Sequence, residues 1–302
     1  MQTSSSRARR LVGWLGVLVV SAGLLIGGGI WLTSGIRDAL APGLSFGCTA
    51  VVNGTEFKLA LDQSENAALI ASLSARRGMP ARAASIALAT ALQESKLRNI
   101  DYGDLDSVGL FQQRPSQGWG TVEQIMDPAY SANAFYDALA EVPDYVNLPI
   151  NDAAQIVQRS GYPEAYAQHE PLSRAFASAL TGQSPQALSC TLPAAGAESS
   201  SPEAVMAAAQ TALGPVPVRT GDADTTAGTG AVLTFDVTEA TGWATAHWAV
   251  AHAQSLGIET VSHAGLLWDR NANAETHNLG WQQGSKVPAA EVSVTLAQTA
   301  AG

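Results

Sequence analysis

Cysteine is scarce in this chain: Cys48 and Cys190 are the only two in 302 residues, which limits it to one internal disulfide. Charge is scarce as well, at 14% of residues, and the balance is −10, from 26 acidic against 16 basic side chains. That deficit of cations excludes a broad electrostatic grip on nucleic acid. With 28 glycines and 14 prolines the composition is neither collagenous nor low-complexity, and 46% apolar residues oppose general disorder. No internal repeat is present. The length allows two modest domains once a tail is set aside.

The averages hide an asymmetry at the start. Arg7, Arg9 and Arg10 precede Leu11 to Thr33, which carries no charged residue, and the next ionisable group is Arg37. About 20 such residues cross a hydrocarbon core, so residues 11–33 are expected to span the bilayer as one transmembrane helix. The basic residues on its N-terminal side place residues 1–10 in the cytoplasm as a basic tail and the bulk of the chain outside. The expected location is therefore the cell membrane, single-pass, with the lipid bilayer as partner of residues 11–33. A cleavable signal peptide is the alternative, since Ala39-Leu40-Ala41 has the small-x-small look of a cleavage site. The apolar run is longer than the usual signal core of about 7–15 residues, and Pro42 would follow the cut, so an uncleaved anchor is preferred.

Both cysteines lie on the exported side, where a disulfide persists. A Cys48–Cys190 bridge would clamp the ends of one domain; the other reading is two unpaired buried thiols. Residues 34–47 read as a juxtamembrane linker. Residues 191–203, rich in Ser, Ala and Pro, read as a second linker. Between them the pattern is helical over 62–77, 81–95, 121–139, 152–158 and 172–180, which predicts an all-helical domain over 48–190. Beyond, residues 204–213 and 242–256 look helical while 231–237, 258–261, 265–268 and 291–296 look like strands. Residues 204–302 therefore read as a small α+β domain.

The most informative segment runs from Pro80 to Ser95. Pro80 suits a helix start, where its missing N–H costs nothing. From Ala83 to Leu92 no face carries a charge, and a helix that is apolar or small all round is a buried one. Glu94 shares a face with Ala83, Ala87, Thr90 and Ala91 by the three-and-four spacing. Its carboxyl thus emerges at the end of a dry element, where burial raises the pKa of an acid. The plain alternative is a glutamate solvated at a helix end, or paired with Lys96 or Arg98.

Further along come Tyr102-Gly103-Asp104, Gly109-Leu110-Phe111-Gln112-Gln113 and Gly118-Trp119-Gly120. Over roughly residues 65–170 the chain resembles the lysozyme-like superfamily, in particular goose-type lysozymes and soluble lytic transglycosylases. Those enzymes carry Glu-Ser at a helix end and a Gly-Leu-(Met/Phe)-Gln turn some fifteen residues on, the separation found here between Glu94 and Gly109. The resemblance implies cleavage of peptidoglycan glycan strands between N-acetylmuramic acid and N-acetylglucosamine, with Glu94 as general acid and base. It implies a lytic transglycosylase or a muramidase. Asp104 is the possible second carboxylate, because Tyr102-Gly103-Asp104 resembles the Trp-Gly-Asp of goose-type lysozymes. A later aspartate of those lysozymes appears here as Arg114, and the family's Ala-Tyr-Asn-Ala-Gly motif is reduced to Val157-Gln158-Arg159-Ser160-Gly161, which tilts the expectation toward single-glutamate transglycosylase chemistry. Asp101 and Asp106 read as a solvated loop. Ser95, Gln112, Gln113, Trp119 and Tyr166 are the candidate substrate-binding residues, with Phe111 a core residue of the turn.

Four of the five histidines, His247, His252, His263 and His277, fall in the second region. His247 and His252 are five apart, about 140° around a helix, whereas two ligands on one helix want a spacing of four. Residues 225–297 resemble secreted domains related to zinc D-alanyl-D-alanine carboxypeptidases of the hedgehog-like fold, but no histidine occupies either of that family's ligand stretches. The resemblance therefore implies a degenerate, non-catalytic domain, with no metal and no cofactor. The combined expectation is a mainly α lysozyme-like domain plus a small α+β domain, tethered by one N-terminal transmembrane helix. The alternative is a non-catalytic peptidoglycan-binding module or an envelope scaffold protein, with a protein partner on residues 204–302.

Overall fold

Strand β1 (Gly47–Val52) turns back into β2 (Thr55–Leu59) at Asn53-Gly54, where both residues have positive φ, 51° and 76°. Two consecutive residues of that kind build the tight hairpin turn whose twist matches the flanking strands. Strand β3 (Leu188–Thr191) closes the other edge, giving a three-stranded antiparallel sheet in the order β2-β1-β3. The region expected to be all-helical thus carries a sheet, whose first hairpin turns at Asn53-Gly54. Cys48 lies directly opposite Cys190 in the β1–β3 ladder, and the two form a disulfide with Cα atoms 3.9 Å apart.

The structure is a computed structural model that describes residues 46–162, 164–193, 201–221, 230–276 and 279–297. The expected tail over 1–10, the spanning helix over 11–33, residues 34–45, the middle of the second linker (194–200) and His277 lie outside the described residues. Among the described residues no helix is long and apolar enough to cross a membrane.

Between β2 and β3 run helices α1 (Leu61–Arg76), α2 (Ala81–Ser95), α3 (Val122–Ile125), α4 (Pro128–Ala140), α5 (Ile150–Gln158) and α6 (Glu170–Leu180). One helix was expected over 121–139, and two are found. Pro128 has no N–H to continue α3, and the Asp127 carboxylate accepts from the backbone N–H groups of Ala129 and Tyr130, which starts α4 anew. Every residue from Ala83 to Leu92 is buried, and α2 runs through the middle of the group against α1, α4, α5 and α6. It ends where Lys96 and Leu97 take left-handed conformations, φ 55° and 57°, and return their N–H groups to the Leu92 and Ala91 carbonyls.

Helix α7 (Pro202–Leu213) leads to β4 (Val218–Gly221), and the chain continues through β5 (Val232–Asp236), α8 (Glu239–Ala251), β6 (Ile258–His263), β7 (Leu266–Asp269), α9 (Arg270–Thr276), β8 (Gln282–Gln283) and β9 (Glu291–Leu296). The strands form an antiparallel sheet ordered β4-β5-β9-β6-β7-β8. In β9 the period-two pattern is plain: Val292, Val294 and Leu296 are buried while Glu291, Ser293 and Thr295 alternate with them. The fold is mixed α+β. β4, β8 and α9 were not expected from the sequence, being short.

Helix α8 packs on this sheet and also on α1, α6 and β3, so buried residues from both regions belong to one continuous core. Polar ties cross it as well: Trp268 Nε1 donates to Ser189 Oγ, and Trp281 Nε1 to the Leu188 carbonyl. His247 is fully buried on α8 and bonds the Ala179 carbonyl through Nδ1 at 2.7 Å. Burial pushes its imidazole down to about 4, so at neutral pH it is an uncharged packing residue beside Trp243. Gly242 lets His263 approach, since a Cβ there would sit 2.3 Å from the ring.

The disulfide closes a loop of 142 residues, long enough for the unfolded chain to lose much freedom by it. Replacing both Cys48 and Cys190 by Ala is expected to lower unfolding free energy by about 2–5 kcal/mol, read by urea denaturation; an unchanged midpoint would show that the sheet needs no clamp.

Candidate functional site

Glu94 occupies the last turn of α2 and is half-buried, unlike the run from Ala83 to Leu92, which is buried throughout. The Tyr166 hydroxyl donates to Glu94 Oε1 at 2.7 Å. Burial raises the carboxyl's pKa above its ordinary value, while bonds from Tyr166 and from the Gln158 side chain pull in the opposite direction without cancelling it. The negative end of the α2 dipole also disfavours a charge there. Burial and the dipole thus both favour the protonated form of Glu94. Tyr166 is itself 0% exposed, and burial and then the Glu94 charge push its phenol well above the usual range, so it stays a donor.

The Gly109–Gln112 turn is tied to the end of α2. Ser95 is buried, and its hydroxyl donates to the Leu110 carbonyl at 2.7 Å. That bond spans the fifteen residues separating the two motifs and gives their spacing a physical meaning. Gly109 has φ 80° and lies so close to the Ile125 carbonyl that a Cβ would come within 2.8 Å. Val108 and Gln113 exchange backbone bonds across the turn, and Phe111 stacks on Phe135 with ring centroids 4.7 Å apart. The Gln158 side chain donates to the Phe111 carbonyl. Gln158 thus joins the turn to the carboxyl of Glu94.

The other candidates divide by direction. Gln112 is half-buried with φ 47°, its amide turned to the Tyr102 and Gly109 carbonyls. Gln113 points inward and donates to the Ser131 carbonyl; Ser95 and Gln113 are struts of the turn, with no surface left for a ligand. Tyr166 reaches a ligand only through Glu94. Trp119 is half-buried between Gly118 and Gly120 and lines a cavity of about 650 Å³ together with Val142, Ile156 and Gln158.

Asp101 and Asp104 are exposed, as is Tyr102 at 69%, and no hydrogen bond joins Asp104 to Glu94. Asp106 is engaged, contrary to expectation. Arg114 Nε bonds it at 2.6 Å, and Ser116 donates to it through both N–H and hydroxyl. The bond from Arg114 leads these in holding the Asp106 carboxyl below the usual carboxylate range. Arg114, at the position where the resemblance led an aspartate to be looked for, is thus paired with Asp106.

Two polar partners of the site escaped the sequence reading. Gln93 accepts from the Gln168 amide and contacts His169 Nε2 at 3.0 Å, and Gln158 supports both Glu94 and Phe111. Only Gln158 carried a signal, its place in the altered Val157–Gly161 motif. In the second region, among the described residues, no group of three or more His, Cys, Asp and Glu is placed to hold a metal ion. His252 and His263 turn Nδ1 to the Trp248 and Glu291 carbonyls. The chain matches no family model and no curated protein.

Ser95→Ala removes the bond between the helix end and the turn and strands the buried Leu110 carbonyl. It is expected to cost about 1–3 kcal/mol in thermal unfolding while the disulfide and secondary structure persist. A change within error would show that the turn is held by packing alone.

Proposed function

We propose that this chain is an exported, membrane-anchored enzyme with a lysozyme-like helical region that cleaves the glycan strand of peptidoglycan between N-acetylmuramic acid and N-acetylglucosamine. The observation that carries this reading is the half-buried Glu94 carboxyl, raised in pKa, bonded by Tyr166 and set beside the Gly109–Gln112 turn. A protonated carboxyl so placed donates its proton to the glycosidic oxygen as the bond to the departing N-acetylglucosamine breaks. The resulting carboxylate then accepts the proton of the muramoyl 6-hydroxyl as that oxygen attacks the anomeric carbon, which leaves a 1,6-anhydro end and restores Glu94. No second carboxylate is required. That route is favoured over hydrolysis because Asp106 is held by Arg114 and Asp104 stands exposed without a bond to Glu94. The Tyr166 bond orients the carboxyl and stabilises it in its charged phase.

Residues 11–33 are the proposed anchor, which confines a lytic activity to a layer beside the bilayer. Residues 204–302 are read as a degenerate peptidase-related region that supports the helical one, consistent with the buried seat of His247 against Ala179.

Purified peptidoglycan digested with the full-length protein tests this reading. Wild type is expected to release muropeptides with anhydro ends, lighter by one water than hydrolytic products. Glu94→Gln is expected to sediment with the wall but release them at least about 100-fold more slowly. Wild-type protein that binds the wall and releases nothing contradicts catalysis and leaves a binding module; products with reducing ends contradict the single-glutamate route.

A further inference from the structure

The cavity beside Gln158 has a chemistry that a neutral glycan does not call for. At about 650 Å³ it is of small-ligand size, and its apolar wall includes Trp119, Val142 and Ile156, the last exposed to 49% in spite of its aliphatic side chain. Two opposite charges, Glu141 and Arg159, also line it. Both are exposed, and among the described residues neither has an ion pair or a side-chain hydrogen bond. Arg77, Arg82, Arg98, Arg114, Arg174 and Arg219, by contrast, all pair with a carboxylate. Glu141 and Arg159 are the C-caps of α4 and α5. A cation suits a helix C-terminus, but a carboxylate there opposes the dipole, so helix stability does not account for Glu141.

We propose that this cavity is a subsite for a short zwitterionic peptide, with Arg159 receiving a carboxylate, Glu141 an ammonium, and Trp119 and Ile156 the aliphatic chain between them. The occupant is the peptide borne by the wall's muramic acid, whose diamino acid presents both charges on an aliphatic stem. This rests on the glycan-cleaving reading, since Gln158 lines the cavity and also bonds Glu94. A sugar at Glu94 then has its peptide one side chain away. The enzyme would thereby favour strands whose diamino acid is free of a cross-link, because a cross-link consumes the ammonium that Glu141 receives.

The probe is N-acetyl-L-alanyl-γ-D-glutamyl-meso-diaminopimelate, titrated calorimetrically into the full-length protein in detergent, with chitotetraose as a sugar lacking peptide. Wild type is expected to bind the peptide, and Arg159→Ala and Glu141→Ala each to weaken it tenfold or more while circular dichroism and the response to chitotetraose stay unchanged. Acetylating the diaminopimelate ammonium is expected to reproduce the Glu141→Ala loss. No binding by wild type, equal binding by both variants, or parallel changes with chitotetraose would overturn the subsite. Glu94→Gln separates the two readings, because it is expected to retain full peptide affinity. Peptide binding by a wild type that cuts no wall leaves the subsite standing and removes the glycosidase, whereas cutting without peptide affinity does the reverse.

Discussion

A carboxyl group in the last turn of a buried helix opposes two tendencies at once: it faces the negative end of the dipole, and it is partly withdrawn from water. Glu94 bears both because α2 is otherwise so well packed. Its alanines let α1, α4, α5 and α6 approach on every side, and its internal hydroxyls, Ser85 and Thr90, are satisfied by the Ala81 and Ile86 carbonyls. What emerges at the C-terminal end is a rigid mount for a single ionisable group. Tyr166 sets the direction of that group.

The rest of the molecule fixes what surrounds the mount. Ser95 binds the helix end to the Leu110 carbonyl, Gln158 binds the same turn from α5, and Gln113 anchors it to α4 through Ser131. Three different elements therefore hold one turn beside Glu94, so its position does not depend on any one contact. Farther out, the Cys48–Cys190 bridge joins the strand before α1 to the strand after α6. The sheet region contributes α8, whose His247 caps the Ala179 carbonyl near the end of α6, the helix packed along α2. Support for the candidate site thus comes from both ends of the described chain.

Much of this was legible in the residues themselves. The absence of charge from Ala83 to Leu92 marked a buried helix, the position of Glu94 marked its exit, and two cysteines on one side of an apolar run marked a pair. The first sheet was missed because Asn53-Gly54 sits in a short polar stretch before strong helical periodicity, although that dipeptide is itself a hairpin signal. Directions were harder than identities. Ser95 and Gln113 had suitable chemistry but turn inward, where they bond the Leu110 and Ser131 carbonyls. The bond from Tyr166 to Glu94 joins residues 72 apart, and no local pattern encodes such a pairing.

Carbon-13 NMR of the side-chain carboxyl, assigned by its loss in Glu94→Gln and followed through a pH titration, addresses the protonation of Glu94 most directly. A midpoint clearly above the ordinary glutamate value of 4.5 is the expected result. A midpoint at or below that value would mean that hydrogen bonding outweighs burial, and Glu94 would be an ionised structural acceptor with no proton to give.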